Sequence, residues 1–387
     1  MERGQVNNES FAHASGLSWL LAAAGVIGLV VVFSVNAHAA HAAASQDWSP
    51  FVLVSGLLLI GLVADGDGLF AAAGNTLARL SSNGVVLFLG ATVMISVVTA
   101  LLNLDTSVAF LTPVLVYAAK SRGSAEAPLL YGCLLLSNAG SLFLPGSNLT
   151  NLIVLGHLRL TGAQFFANAW APATAALVAT TIVVLIAERR ELSVKSLEVA
   201  RTARPDFGLG LVAIVAGATL VIVLPSPALA VLGVGLLVTA LRVVRGNIAP
   251  GHVFEMLGVP VLIGLFGVAV TLGTVGRLWS GPTVLHSHLD VWGTAAFAAM
   301  SSVLVNNLPA ASMLAARPSA HPFALLIGLN LGPNLFVTGS LAWLLWLRAA
   351  RLAGARPSLK NASQLGAWVV PVSMAAAVLA LLGPGHG

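Results

Sequence analysis

The chain has 387 residues, of which 58% are hydrophobic and only 8% charged, and its mean hydropathy is +0.95. Soluble domains carry about 25% charged residues, so the composition excludes a soluble enzyme, a secreted disulfide scaffold and a disordered chain. The single cysteine, Cys133, excludes intrachain disulfides and thiolate clusters, and no nucleic-acid partner is expected from a net charge of +5 that sits in loops. What remains is an all-α polytopic membrane protein, because the apolar stretches are helix-length and do not alternate as barrel strands do.

In chain order, segments able to span fall at about 17–42, 50–64, 129–156, 169–187, 207–224, 227–244, 253–275, 321–347 and 367–383. Ala37-His38-Ala39 resembles a signal-peptidase site, but the apolar run before it is too long and follows one Arg, so 17–42 is expected to be a retained helix. Two more apolar stretches, 84–119 and 291–316, are interrupted, at Asn103-Leu104-Asp105-Thr106 and at Asn306-Asn307. The second arm of the first has 13 residues, about 20 Å of helix against a hydrocarbon core of about 30 Å.

Basic residues decide how these stretches run, since cytoplasmic loops are enriched in Lys and Arg. If both return to the side they came from, 15 of the 18 basic residues share one side and only Arg159, Arg277 and Arg317 lie opposite. If both cross once, the split is 8 to 10, which is no bias. Re-entrant hairpins are therefore expected, with nine spans, a cytoplasmic N-terminus and an external C-terminus. The charged 188–206 stretch reads as a solvated connector between halves.

The halves echo one another. Asp105 lies in N-L-D-T-S-V-A-F-L-T-P and Asn307 in V-N-N-L-P-A-A-S-M-L-A. Ser137-Asn138-Ala139-Gly140-Ser141 precedes Asn148 as Leu329-Asn330-Leu331-Gly332-Pro333 precedes Ser340. Five crossings separate the spans at 50–64 and 253–275, and an odd number turns the second copy upside down. The expected units are 1–190, a linker at 191–206, and an inverted repeat at 207–387. Polar breaks at matching positions of inverted repeats point to a midplane transport site, since freed backbone groups are tolerated only where they line a cavity or find partners.

The expected substrate-binding residues are therefore Asn103, Thr106, Asn138, Ser141, Ser147, Asn148, Asn306, Asn307, Asn330, Asn334, Thr338 and Ser340. Asp105 is the one carboxylate expected near the membrane centre, where a charge costs about 2.5–3.5 kcal/mol and is functional by default. It is the expected proton carrier, with Asn307 as its non-titrating counterpart. Asp65 and Asp67 suit an ion entrance or a helix-ending turn, and Glu255 and Asp290 suit helix starts. No metal motif occurs, and His286-x-His288 is a weak signal for one. No cofactor is expected, and no nucleophile–base pair or metal motif at membrane depth points to an enzyme.

The stretches S-N-A-G-S-L-F-L-P-G-S-N-L-T-N-L-I-V (137–154) and G-L-N-L-G-P-N-L-F-V-T-G-S-L-A-W-L-L-W-L (328–347) resemble the two signature loops of arsenical-pump membrane proteins, the arsenite and antimonite permeases of the ion-transporter superfamily. The hairpin tips agree with them over about 50–347. The resemblance implies two inverted bundles, each with a hairpin tip and an unwound helix, meeting at the centre of an inner (cytoplasmic) membrane protein. It also implies arsenical resistance by export of arsenite or antimonite, in exchange for protons or driven by a cytoplasmic ATPase subunit, and it admits a homodimer. A sodium/proton antiporter is the alternative. An organic-anion carrier is less favoured, because the S-N-T and P-P-N signatures of dicarboxylate carriers are absent and no Lys or Arg is expected at membrane depth. Arsenite is mostly the uncharged trihydroxide at neutral pH, and amides and hydroxyls can both donate to and accept from its OH groups.

Overall fold

A computed structural model describes residues 2–79, 83–156, 158, 160–193, 208–279, 281, 284 and 288–383, with side chains described for residue 16 and from residue 18 onward within those ranges. Arg159, His286 and the connector from 194 to 207 lie outside the described residues. Among those described there is no strand. The helices are α1 (Glu2–Gly66), α2 (Leu69–Arg79), α3 (Gly84–Leu101), α4 (Leu104–Ser121), α5 (Ala127–Gly140), α6 (Leu149–Leu155), α7 (Gly162–Ala187) and α8 (Arg189–Leu192). They continue as α9 (Leu209–Val223), α10 (Ala228–Val244), α11 (Pro250–Leu257), α12 (Val259–Leu278), α13 (Val291–Val305), α14 (Asn307–Leu314), α15 (Pro322–Leu331), α16 (Leu341–Leu352) and α17 (Leu359–Leu381). Among the described residues, five segments are long and apolar enough to cross a membrane: Ser18–Gly66, Gly84–Leu101, Gly162–Ala187, Pro250–Leu278 and Leu359–Leu381.

Helix α1 is two helices joined at Asn36, whose φ of −152° and ψ of 88° leave the helical region. The Asn36 side chain accepts from the Ala39 N–H at 2.9 Å and so caps the second arm. The arms run in opposite directions along α12. Gly25 abuts Gly264 and Gly267, and Gly28 abuts Thr271. On the return, Ala43 meets Gly273 and Phe51 packs its ring edge-on against Phe266. The turn thus falls at Asn36 and not between 42 and 50, because the alanines from Ala37 to Ala44 remain helical. Small residues let the backbones approach closely, which is how helices associate where no water drives them together.

Helices α3 and α4 form a hairpin whose open end is pinned at one end of the bundle. Gly84 lies against the Leu192 carbonyl, and the Arg122 guanidinium donates to the Ala78 carbonyl at 2.5 Å. The second arm has 18 residues, not 13, or about 27 Å, because Leu104, Asp105 and Thr106 already belong to it and Lys120 and Ser121 continue it. At that length the arm is nearly long enough to cross a hydrocarbon core of about 30 Å. At this same end Lys120 donates to the Ala353 and Gly354 carbonyls, Arg348 pairs with Glu255, and Arg242 pairs with Asp67. Asp67 also accepts from the Gly210 N–H at 2.7 Å, so it ends α1 and starts α9. Asp290 caps α13 through the Gly293 N–H at 2.7 Å.

The second pair, α13 and α14, approaches from the other end, where Gly276 of α12 abuts the Met313 carbonyl. Two apolar clusters occupy the two ends. One is centred on Phe88, Leu111, Leu134 and Trp346, the other on Phe165, Leu308, Leu325 and Leu329. Between them lies a layer of asparagine, serine and aspartate. Outside, Val30, Val93, Ile186, Val212 and Leu379 are exposed, an apolar surface suited to lipid.

Candidate functional site

Four helices begin at the centre of the polar layer. Asn103 precedes α4 and its side chain accepts from the Thr106 N–H at 2.6 Å. Asn148 precedes α6 and accepts from the Thr150 N–H at 3.3 Å. Asn306 precedes α14 and accepts from the Leu308 N–H at 3.3 Å. Ser340 precedes α16 without capping it. Asparagine and serine break a helix here because their side chains replace the backbone partners that the break removes.

The first residues of all four helices line one cavity: Leu104 and Asp105, Asn148 and Leu149, Asn306 to Leu308, and Ser340 and Leu341, with Leu265 closing a side. The cavity is narrow, with room for little more than about one water molecule. Helix N-termini carry partial positive charge, so among the described residues the cavity combines four such ends with a single carboxyl group and no Lys or Arg on its wall. The Ser340 hydroxyl is buried there without a hydrogen-bond partner.

The tip between α13 and α14 is tied to the stretch that precedes α16. Asn306 has a φ of 76°, the only positive φ outside glycine among the described residues, a conformation that is strained for an L residue. It is held by donation from its Nδ2 to the Thr338 carbonyl at 3.2 Å, by the Asn307 N–H on the Gly339 carbonyl at 2.8 Å, and by the Thr338 hydroxyl on the Val303 carbonyl at 2.6 Å.

The expected site residues thus separate into two groups. Asp105, Asn148, Asn306, Asn307 and Ser340 line the cavity. Asn103, Thr106 and Thr338 stand at its tips without lining it, and Thr338 is exposed. Asn138, Ser141, Ser147, Asn330 and Asn334 are fully buried and bind one another or backbone. Asn138 donates to Asn334 at 2.8 Å. The Asn330 Oδ1 accepts from Ser141 at 2.6 Å and from Asn148 at 2.7 Å, while its Nδ2 donates to Asn151 at 2.9 Å. Ser147 donates to the Ser141 carbonyl at 2.9 Å. Asn151, which sequence reasoning passed over, completes this bridge between halves; its signal was the second Asn of S-N-L-T-N. Trp343 and Trp346 are also buried and donate to the Pro333 and Leu130 carbonyls at 2.7 and 2.8 Å, so they serve the breaks and not a membrane interface.

Asp105, on the cavity wall, is half-buried, and a second carboxylate lies deeper. Asp47 is 1% exposed, because the second arm of α1 begins at 37 and makes S-Q-D-W-S helical, with Asp47 turned into the bundle and Ser45 and Trp48 left exposed.

The profile of the CitMHS family, described as citrate transporter, matches residues 13–347. Arsenical pump membrane proteins of Escherichia coli and Yersinia enterocolitica are 27% and 28% identical to this chain, with 78% of each chain covered. A crystal structure of the YdaH transporter of Alcanivorax borkumensis, described as having an unusual topology, aligns with a TM-score of 0.53 at 16% identity, covering 88% of this chain and 86% of that one. That likeness concerns fold alone. With its apolar helices and these relatives, the protein is a multi-pass membrane transporter. The chain belongs to the CitMHS citrate-transporter family.

Proposed function

We propose that the protein exports arsenite or antimonite across the cytoplasmic membrane in exchange for protons, with Asp105 as the proton carrier. The observation that carries this reading is the cavity wall: one carboxyl, three asparagines and a serine where four helices begin, with no basic side chain among the described residues. A neutral trihydroxide donates its OH groups to amide and carboxyl oxygens and accepts from N–H groups and hydroxyls. A carboxylate on the wall repels an organic anion, and by giving up and regaining a proton it would couple transport to a proton gradient. The cavity is too narrow for such a cargo as it stands, so loading requires the hairpin tips to part.

The order of elements supports the proposed repeats, 1–190 and 207–387. A long helix, a hairpin, a broken helix and a long helix recur as α1 to α7 and as α12 to α17. The pinning of α3 and α4 at the basic end, with α14 ending at the other, supports hairpins that enter from opposite faces of the membrane. The basic end is then cytoplasmic by the excess of Lys and Arg in its loops.

A second reading, an organic-anion carrier, is favoured by the four helix N-termini, which attract negative charge. Everted vesicles containing the protein test both. Uptake of arsenite or antimonite driven by an imposed proton gradient is expected, without competition by citrate. Citrate uptake with no arsenite uptake would select the second reading, and sodium-dependent proton movement without either would select an antiporter.

A further inference from the structure

Away from the cavity, where α6, α12 and α14 finish, Asp47 on the second arm of α1 is buried, and neither of its oxygens completes a hydrogen bond. The Ser312 hydroxyl of α14 and the Arg277 guanidinium of α12 face it, yet the Ser312 hydroxyl is itself unpartnered. Among the described residues, ion pairs join Lys120 to Glu126, Arg242 to Asp67 and Arg348 to Glu255, but not Arg277 to Asp47. Arg277 is instead spent on neutral oxygens: the Gly273 carbonyl at 2.8 Å, the Gln46 Oε1 at 2.5 Å and the Ala42 carbonyl at 3.4 Å. Neither α6 nor α14 contains a charged residue, so Arg277 is the charged group facing Asp47 from the helices packed there. An ionised carboxylate left without partners in such a place is costly, whereas a protonated one is tolerated.

The neighbour of Asp47 gives the site a consequence. The Gln46 amide donates to the Ile153 carbonyl at 3.0 Å and to the Ala315 carbonyl at 3.1 Å. Those carbonyls lie at the far ends of α6 and α14, the two short helices whose first residues line the cavity. Arg277 therefore holds the side chain that ties both helices to α1.

We propose that Asp47 is a second proton-exchange site, which takes Arg277 from Gln46 when its carboxyl ionises and returns it on protonation. The carboxyl O–H bond breaks, its proton passes to water, and the resulting carboxylate pairs with the guanidinium. Gln46 then loses its anchor, and the ends of α6 and α14 are freed from the second arm of α1. Reprotonation reverses each step. The site does not depend on which substrate the cavity takes.

Infrared difference spectra between acid and alkaline pH, recorded on the full chain in lipid bilayers without substrate, test this. The carboxylic C=O signal is expected to lose one component in Asp47→Asn, and that component should persist in Asp105→Asn. Identical spectra for wild type and Asp47→Asn would overturn the proposal. A neutral Asp47 also means that Asp47→Asn folds as the parent does. If Asp47→Asn is instead unstable and Asp47→Asn combined with Arg277→Gln restores stability, the two residues form a fixed structural pair and the proposal fails. Because no substrate is present, this result is separate from whether arsenite is transported.

Discussion

At the scale of single residues, the polar layer holds side chains of one chemistry in two occupations. Asn330 is the hub of the bridge between halves, serving Ser141, Asn148 and Asn151 at once. Replacing it with Ala strands two buried polar groups, the Asn148 Nδ2 and the Asn151 Oδ1, at about 1–3 kcal/mol for each one left unsatisfied, while Ser141 keeps the Asn138 carbonyl at 2.8 Å. Asn330→Ala is expected to unfold at markedly lower temperature in a detergent thermal-shift assay, and an unchanged midpoint would count against the bridge. Asn306 poses a different balance, since its φ of 76° is strained while its side chain caps α14 and ties the hairpin to Thr338. Glycine loses the cap but relieves the strain, and alanine loses the cap and keeps the strain. Asn306→Gly should therefore be more stable than Asn306→Ala by about 1 kcal/mol; the reverse order in the same assay would contradict a strained tip.

Among the elements, the crossing of α1 and α12 depends on the absence of side chains. A Cβ on Gly267 would lie 2.2 Å from the Gly25 carbonyl oxygen, and one on Gly264 would lie 2.6 Å from the Leu21 backbone. Backbone cannot yield as a flexible side chain does, so Gly267→Ala should cost about 1–3 kcal/mol by overpacking, read as a lower unfolding midpoint and reduced yield of folded protein. A midpoint equal to wild type would mean that the helices separate without penalty. Helix positions were largely legible in the sequence, because polar residues cut the apolar runs at Asn103, Asn148 and Asn306, where the helices do begin. The turn in α1 was not, since Ala37 to Ala44 serve equally as helix or linker and only packing against α12 selects helix. Burial of Asp47 was hidden by the same ambiguity. Nor does sequence distinguish Asn148, on the cavity wall, from Asn138, which bonds Asn334; both are asparagines at a break, and the register between halves sorts them.

For the whole molecule, polarity is arranged in layers, with an apolar cluster on each side, the cavity and its amide bridge between, and most of the described basic residues gathered at one end, with Arg277 apart from them. Cysteine labelling from either side of the membrane tests the proposed orientation, since the native Cys133 is buried and silent. Thr76→Cys and Ser121→Cys flank the first hairpin, and both should react from the cytoplasmic side, with Ala320→Cys reacting from outside. Labelling of Thr76→Cys and Ser121→Cys from opposite sides would mean that α3 and α4 make one crossing. A drive supplied by an associated ATPase would leave the cavity carboxyl without a coupling role. Proton-driven arsenite uptake into everted vesicles carrying Asp105→Asn decides between the two: exchange through Asp105 predicts uptake reduced to background in folded, membrane-inserted protein, whereas uptake equal to wild type would contradict it.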